Sequence, residues 1–92
     1  MEYSEEILKQ VEEYSGLFLL PEQISRLLDI PLSDFKSDIR KREHPLKIAY
    51  EKGKFNTLLE LRKQEIDLAK MGSPMAIELV NGFRIEQKQG ER

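Results

Sequence analysis

The chain has no cysteine, no tryptophan and a single histidine, and these absences exclude several kinds of site. Without cysteine there are no disulfides, thiolate metal sites or cysteine nucleophiles. The one histidine, His44, stands beside Pro45, and no spacing ties a second titratable group to it. We therefore expect His44 to lie at the surface or to cap a helix. The sequence predicts neither an enzyme nor a protein that holds a cofactor or a metal ion.

Long apolar runs are also lacking, since the longest one is Leu17–Leu20. A membrane-spanning helix needs about 20 apolar residues, and a secretory signal needs an apolar stretch behind a basic start. The acidic start of this chain has no such stretch. We therefore expect no membrane partner and a cytoplasmic location. With 92 residues and 35% charged against 39% hydrophobic side chains, the composition is typical of one globular domain.

Positive charge is scarce overall, because the net charge is −2, but it is unevenly distributed. Residues 1–22 contain six acidic residues and one basic residue, whereas residues 34–54 contain seven basic residues and four acidic ones. Bulk charge therefore does not predict nucleic-acid binding, but the middle of the chain is a candidate basic surface.

Helical periodicity and helix-end signals predict an all-α fold, and no alternation typical of strands competes with them. Ser4 is a suitable first cap, with Gly16 as a left-handed stop. Pro21 suits the start of a second helix, and Ser33 the cap of a third that runs to about Arg42. These three helices form a trihelical helix-turn-helix unit over residues 1–44.

The second half predicts a helical hairpin over residues 45–86, packed on the first unit as one cooperative domain. Its first helix is predicted to run without a break over residues 46–70, although Gly53 costs about 1 kcal/mol inside a helix. The alternative is a short helix over residues 46–52, a kink, and a longer helix from about residue 55. Gly72-Ser73-Pro74 combines a stop, a cap and a first-turn proline. The last helix is expected to bury an apolar set, and residues 87–92 to form a loose tail. That apolar set comprises Met75, Ala76, Leu79, Val80 and Phe83.

The unit Pro21 to Arg42 has the helix, short turn and helix pattern of DNA-binding modules, in which the second helix enters the major groove. The side chains expected to face DNA are Lys36, Ser37, Arg40, Lys41 and Arg42. The charges of the lysines and arginines suit phosphate and guanine edges, and the Ser37 hydroxyl can pair weakly with either. A basic last turn that only complements the helix dipole is the alternative.

Four residues depart from the usual DNA-binding pattern. Asp34 and Asp38 lie on the same helix and would repel phosphate unless they are turned away. Asp29 stands at the turn position where glycine is common, and Ser25 where alanine is usual.

Leu61 and Leu68 lie off the main apolar stripe of the long helix. A helix that packs against one other helix needs only one apolar stripe, repeated every 3.6 residues. These two leucines make the apolar surface wider than that stripe. They are therefore either additional core or an oligomer interface, and we predict the interface.

Residues 17–83 resemble the small helix-turn-helix proteins of tailed phages and prophages, including small terminase subunits with a homeodomain-like start. The resemblance begins with Leu20-Pro21-Glu22-Gln23-Ile24 and continues through several short matches. These are Ala49-Tyr50, Gly53-Lys54, Leu61-Arg62, Leu68-Ala69, Gly72-Ser73 and Ala76. It implies that the first part recognises double-stranded viral DNA in the host cytoplasm, while the hairpin assembles a homo-oligomer that meets the large terminase subunit or another protein. The chain departs from such proteins in having no evident segment for docking the motor.

Two hypotheses follow. The first is a DNA-binding helix-turn-helix protein of the phage DNA-packaging type. The second is a protein-interaction adaptor or transcriptional regulator that uses the hairpin for self-association.

Overall fold

A computed structural model of the chain covers residues 1–92 and contains five helices and no strand. The helices are α1 (Glu5–Gly16), α2 (Pro21–Leu27), α3 (Leu32–Ile39), α4 (Pro45–Lys70) and α5 (Pro74–Gly90). The all-α prediction is confirmed. The chain divides into two compact units, Met1–Thr57 and Leu58–Arg92, so that α4 contributes to both. The expected division fell earlier, after residue 44.

The first unit has a continuous apolar core to which all four of its helices contribute. Six residues are buried there: Val11, Ile24, Ile30, Phe35, Leu46 and Ala49. Partly buried side chains, among them Ile7, Leu8 and Ile39, surround this core. Phe35 and Ile39 therefore lie on the inner side of α3, as their i, i+4 spacing predicts.

Three helices end in left-handed turns of the same hydrogen-bonded form, in which a residue of positive φ follows the helix cap. That residue is Phe18 (φ 61°) after α1, Asp29 (φ 54°) after α2 and Gly72 (φ 94°) after α4. In each turn the next amide donates to a carbonyl five residues back, as Ile30 N does to Ser25 O at 2.8 Å. The stop expected at Gly72 is confirmed. The one expected at Gly16 is wrong, because Gly16 is the last residue of α1 and Phe18 takes the left-handed conformation.

The glycines of α1 and α4 allow the two helix backbones to approach each other closely. A Cβ added to Gly53 would overlap the carbonyl oxygen of Glu12 and the hydroxyl of Ser15. One turn further along α4, the Thr57 hydroxyl donates a 2.7 Å hydrogen bond to the Gly16 carbonyl. Because α4 runs unbroken through Gly53, the glycine permits packing and does not interrupt the helix.

The second unit is a helical hairpin with one buried side chain, Ala76. The Arg62 guanidinium lies 4.5 Å from the Phe83 ring centre and 3.2 Å from Glu86 Oε2, so it joins the two helices. The expectation that Met75 and Leu79 are buried is wrong, since they are 76% and 48% exposed. One helix pairing with one other can cover only a narrow stripe of each.

The C-terminal segment is more helical than its composition predicts. Helix α5 continues through Gly90, whereas the hairpin was expected to end at residue 86 and to be followed by a loose segment. Glutamine and lysine are good helix formers, so a run without apolar residues still extends a helix. At the other end of α5, Ser73 caps the helix as expected, its hydroxyl accepting from Ala76 N at 3.4 Å. None of the five helices is long and apolar enough to cross a membrane.

We predict that Gly53→Ala destabilises the protein by about 1–3 kcal/mol, because the new methyl group has no space against the α1 backbone. In an open helix the same change would stabilise by roughly 0.5–1 kcal/mol. Gly82→Ala is the matched control, since nothing lies within 4 Å of an added Cβ there. Urea unfolding followed by circular dichroism measures both variants. Equal or greater stability in Gly53→Ala would contradict the close approach.

Candidate nucleic-acid interface

The connection between α2 and α3 holds these helices in a compact unit. The Asp29 backbone is left-handed at the turn position where glycine is common, and aspartate tolerates that conformation better than most residues. Ser25, standing where alanine is usual, is buried and donates its hydroxyl to Glu22 O at 2.9 Å. Both departures noted in the sequence are therefore accommodated.

The helix α3 is shorter than predicted, and this changes where the candidate residues lie. It begins at Leu32 because the Pro31 carbonyl accepts from Phe35 N at 3.0 Å, so Ser33 is not the cap. It ends at Ile39 rather than near Arg42, because the amides of Arg40 and Lys41 each turn back to a carbonyl three residues earlier.

The five predicted DNA-facing residues are all exposed, but only two lie within a helix. Lys36 and Ser37 project from α3, Arg40 is its C-terminal cap, and Lys41 and Arg42 belong to the turn that follows. The structure thus brings the five residues onto one short segment of helix and turn.

Asp38 is the polar centre of the first unit, and its carboxylate faces inward. Its side chain is 3% exposed and accepts from the Tyr3 hydroxyl at 2.7 Å and from Lys41 Nζ at 2.9 Å. The Met1 amino group at 3.5 Å and His44 Nε2 at 3.8 Å also face it. Hydrogen bonds from Tyr3 and then from Lys41 lower the pKa of Asp38 well below its usual value, against the opposing effect of burial. Asp38 is therefore an acceptor for groups inside the protein.

The partners of Asp38 are constrained in turn. Burial, and then the hydrogen bond to Asp38, raise the pKa of Tyr3 well above its usual value. His44 packs edge-on against the Tyr3 ring at 5.9 Å. Its Nδ1 accepts from Leu46 N at 3.0 Å, so His44 caps the start of α4. The structural role expected for this histidine is confirmed.

With Asp38 turned inward, the outer side of α3 and the following turn is mainly basic. Lys36, Arg40 and Arg42 are exposed and form no ion pair, whereas the ammonium of Lys41 is held by Asp38. Asp34 and Glu43 are the exposed acids of the same segment. Of the two acids expected to repel phosphate, only Asp34 remains outside.

Sequence reasoning missed the Tyr3–Asp38 hydrogen bond, because the two residues are 35 positions apart. One local signal was available, since Asp38 lies three residues after Phe35 and three before Lys41. That spacing places Asp38 on the inner side of α3 with a lysine able to reach it.

The two predicted interface residues, Leu61 and Leu68, are 45% and 46% exposed in the second unit, so they are not core. Nothing in the chain gathers three or more side chains into a cluster able to hold a metal ion. No family model, curated protein sequence or solved structure matches the chain.

The Asp38 cluster predicts a stability maximum between two pH limits. A lowered pKa means that ionised Asp38 favours folding above its usual value of 3.8, and that this contribution is lost as the pH falls below it. The raised pKa of Tyr3 has the opposite sign, so its contribution is present below the usual value of 10.0 and is lost as the pH rises above it.

We therefore expect Asp38→Asn to lower stability at neutral pH and to flatten the acid limb, and Tyr3→Phe to flatten the alkaline limb. Urea midpoints measured across the pH range test this. Asp34→Asn, on the exposed side of the same helix, serves as the control and should keep the wild-type acid limb. An Asp38→Asn profile as steep as that of wild type would show that the cluster does not govern acid stability.

Proposed function

We propose that the protein binds double-stranded DNA through the exposed side of α3 and the turn that follows it. The observation that supports this most strongly is the inward position of Asp38, which leaves Lys36, Arg40 and Arg42 as unpaired cations on that side. A short helix held by a left-handed turn from the preceding one is the arrangement that helix-turn-helix proteins use to enter the major groove.

The side chains of this surface suit different parts of the duplex. Arg40 and Lys36 can pair with guanine edges or phosphates, and the Ser37 hydroxyl with either. Asp34, in the first turn of α3, can accept a hydrogen bond from a cytosine amino group. Lys41 holds Asp38 and thereby positions the turn. The exposed guanidinium of Arg42 can pair with phosphate. A modest number of phosphate contacts suits a chain with a net charge of −2.

In its finer form, the proposal is a recognition subunit of the phage DNA-packaging type that works in the host cytoplasm. The sequence resemblance supports this form, and so do the exposed leucines of the hairpin, Leu61 and Leu68. In that role the hairpin assembles a homo-oligomer and the large terminase subunit is the protein partner.

We expect Lys36→Glu combined with Arg40→Glu to weaken duplex binding by about 10- to 100-fold and to reduce the salt dependence, because each lost phosphate contact lowers the slope by roughly one. Fluorescence anisotropy with a mixed set of short duplexes, at a low and a moderate salt concentration, measures both effects. Neither side chain has an ion-pair partner to lose, so the fold should be unaffected.

The control combines Lys9→Glu with Arg92→Glu, which makes the same change in net charge at exposed positions outside α3. It should bind DNA much more tightly than the first variant. Equal weakening in both variants would mean that only overall charge matters. Failure of the folded wild-type protein to bind any duplex at low salt would disprove the proposal.

A protein-interaction adaptor is the second candidate, and the loop between α1 and α2 favours it. Leu17, Phe18 and Leu20 are 68%, 47% and 61% exposed there. Several exposed apolar side chains close together are typical of protein contact sites. The absence of DNA binding at low salt, together with loss of partner capture in Phe18→Ser, would favour this function or a regulator that acts through protein contacts.

A further inference from the structure

The hairpin of the second unit leaves most of its apolar side chains uncovered. Between Leu58 and Arg92 only Ala76 is buried, while Ile66 is 38% exposed and Met71 82% exposed. A two-helix hairpin of this length has too little buried surface to support itself. So many exposed apolar side chains in one segment indicate a surface that contacts another protein.

These side chains fall on two opposite sides of the hairpin. The two helices meet along a line marked by Arg62 on α4 and by Ala76 and Phe83 on α5. Each successive residue is rotated by about 100° around its helix axis, so the number of residues from this line gives the side on which a side chain lies. On one side, here called the acidic face, α4 presents Leu61 and Leu68. The rest of that face comes from Glu65 on α4 and from Met75, Glu78 and Leu79 on α5, with Glu86 beside them in its ion pair with Arg62. A groove along α5 runs through Met75, Leu79 and Gly82 on this face.

The other side, here called the basic face, carries Leu59 and Ile66 from α4 and Ile77 from α5. The basic residues that accompany them are Lys63, Lys70, Arg84 and Lys88. A groove lined by Ile66, Val80 and Arg84 lies between the helices here. By helical position Glu60 and Asp67 fall on the outer edge of α4, and Glu78 lines the groove of the acidic face, so none of these acids of the two hairpin helices belongs to the basic face. Each face therefore has apolar groups at its centre and charge of one sign around them.

We propose that the acidic face of one copy of the chain docks on the basic face of a second copy. Pairing two acidic faces, or two basic ones, would place like charges together, whereas the unlike faces are complementary. Such a contact is heterologous: the two copies use different surfaces, and each retains one face for a further copy. This inference specifies the self-association within the proposed function and does not depend on DNA binding.

The test uses two double variants, and each one disrupts one face by replacing two exposed apolar residues of α4 with charged residues. Lysine and glutamate are good helix formers, so the helix itself should be retained. Leu61→Lys with Leu68→Lys blocks the acidic face, and Leu59→Glu with Ile66→Glu blocks the basic face. Each variant alone should be monomeric, with association weakened about a hundredfold or more, because both apolar anchors and charge complementarity are lost. Mixed together, they should form a one-to-one complex and nothing larger, since one intact face of each kind remains.

Sedimentation velocity over a range of concentrations measures these masses, and circular dichroism checks helicity. Ile85→Glu is the control, because Ile85 is 54% exposed on the outer edge and belongs to neither face, so it should associate like wild type. A variant that still associates alone would show pairing of like faces and overturn the inference. So would a mixture that stays monomeric. A monomeric wild-type protein that binds duplex DNA would overturn this inference and leave the proposed DNA binding standing.

Discussion

A single buried carboxylate, that of Asp38, joins the beginning of the chain to α3 and to the start of α4. It accepts from Tyr3 before α1 and from Lys41 after α3, and His44, which caps α4, faces it. A buried carboxylate without such donors would be strongly destabilising. The same contacts orient α3, remove a negative charge from its outer side and fix the turn that carries Arg42. The electrostatic character of the candidate DNA surface therefore depends on an interaction inside the fold.

The helices themselves could be predicted from the sequence, because caps, prolines and apolar spacing are local signals. Ser4, Pro21 and Ser73 mark helix starts that the structure confirms. The ends were less predictable. A left-handed residue after a helix is expected to be glycine, but of the three such turns only one has glycine, Gly72, and the other two have Phe18 and Asp29. In those two turns, backbone hydrogen bonds and tertiary packing outweigh the steric preference of the side chain.

The candidate site was predicted in part. The exposure of Lys36, Ser37, Arg40, Lys41 and Arg42 follows from the inward positions of Phe35 and Ile39, which periodicity identifies. The inward position of Asp38 and the early end of α3 could not be read from the sequence, because both depend on contacts with distant segments. In the hairpin, the sequence analysis overestimated the number of buried residues. Apolar spacing shows which side of a helix is hydrophobic, but it does not show whether another segment of the chain covers that side.

The close contact at Gly53 also constrains which residues any related sequence can have at this position. Where two helix backbones approach until no side chain fits between them, the position is closed to every residue except glycine. Most core positions tolerate exchange among apolar residues of similar volume, so their identities drift quickly. A glycine at position 53, with a small residue at position 16 opposite it, is therefore the feature by which a distantly related sequence that retains the α1–α4 crossing could be found.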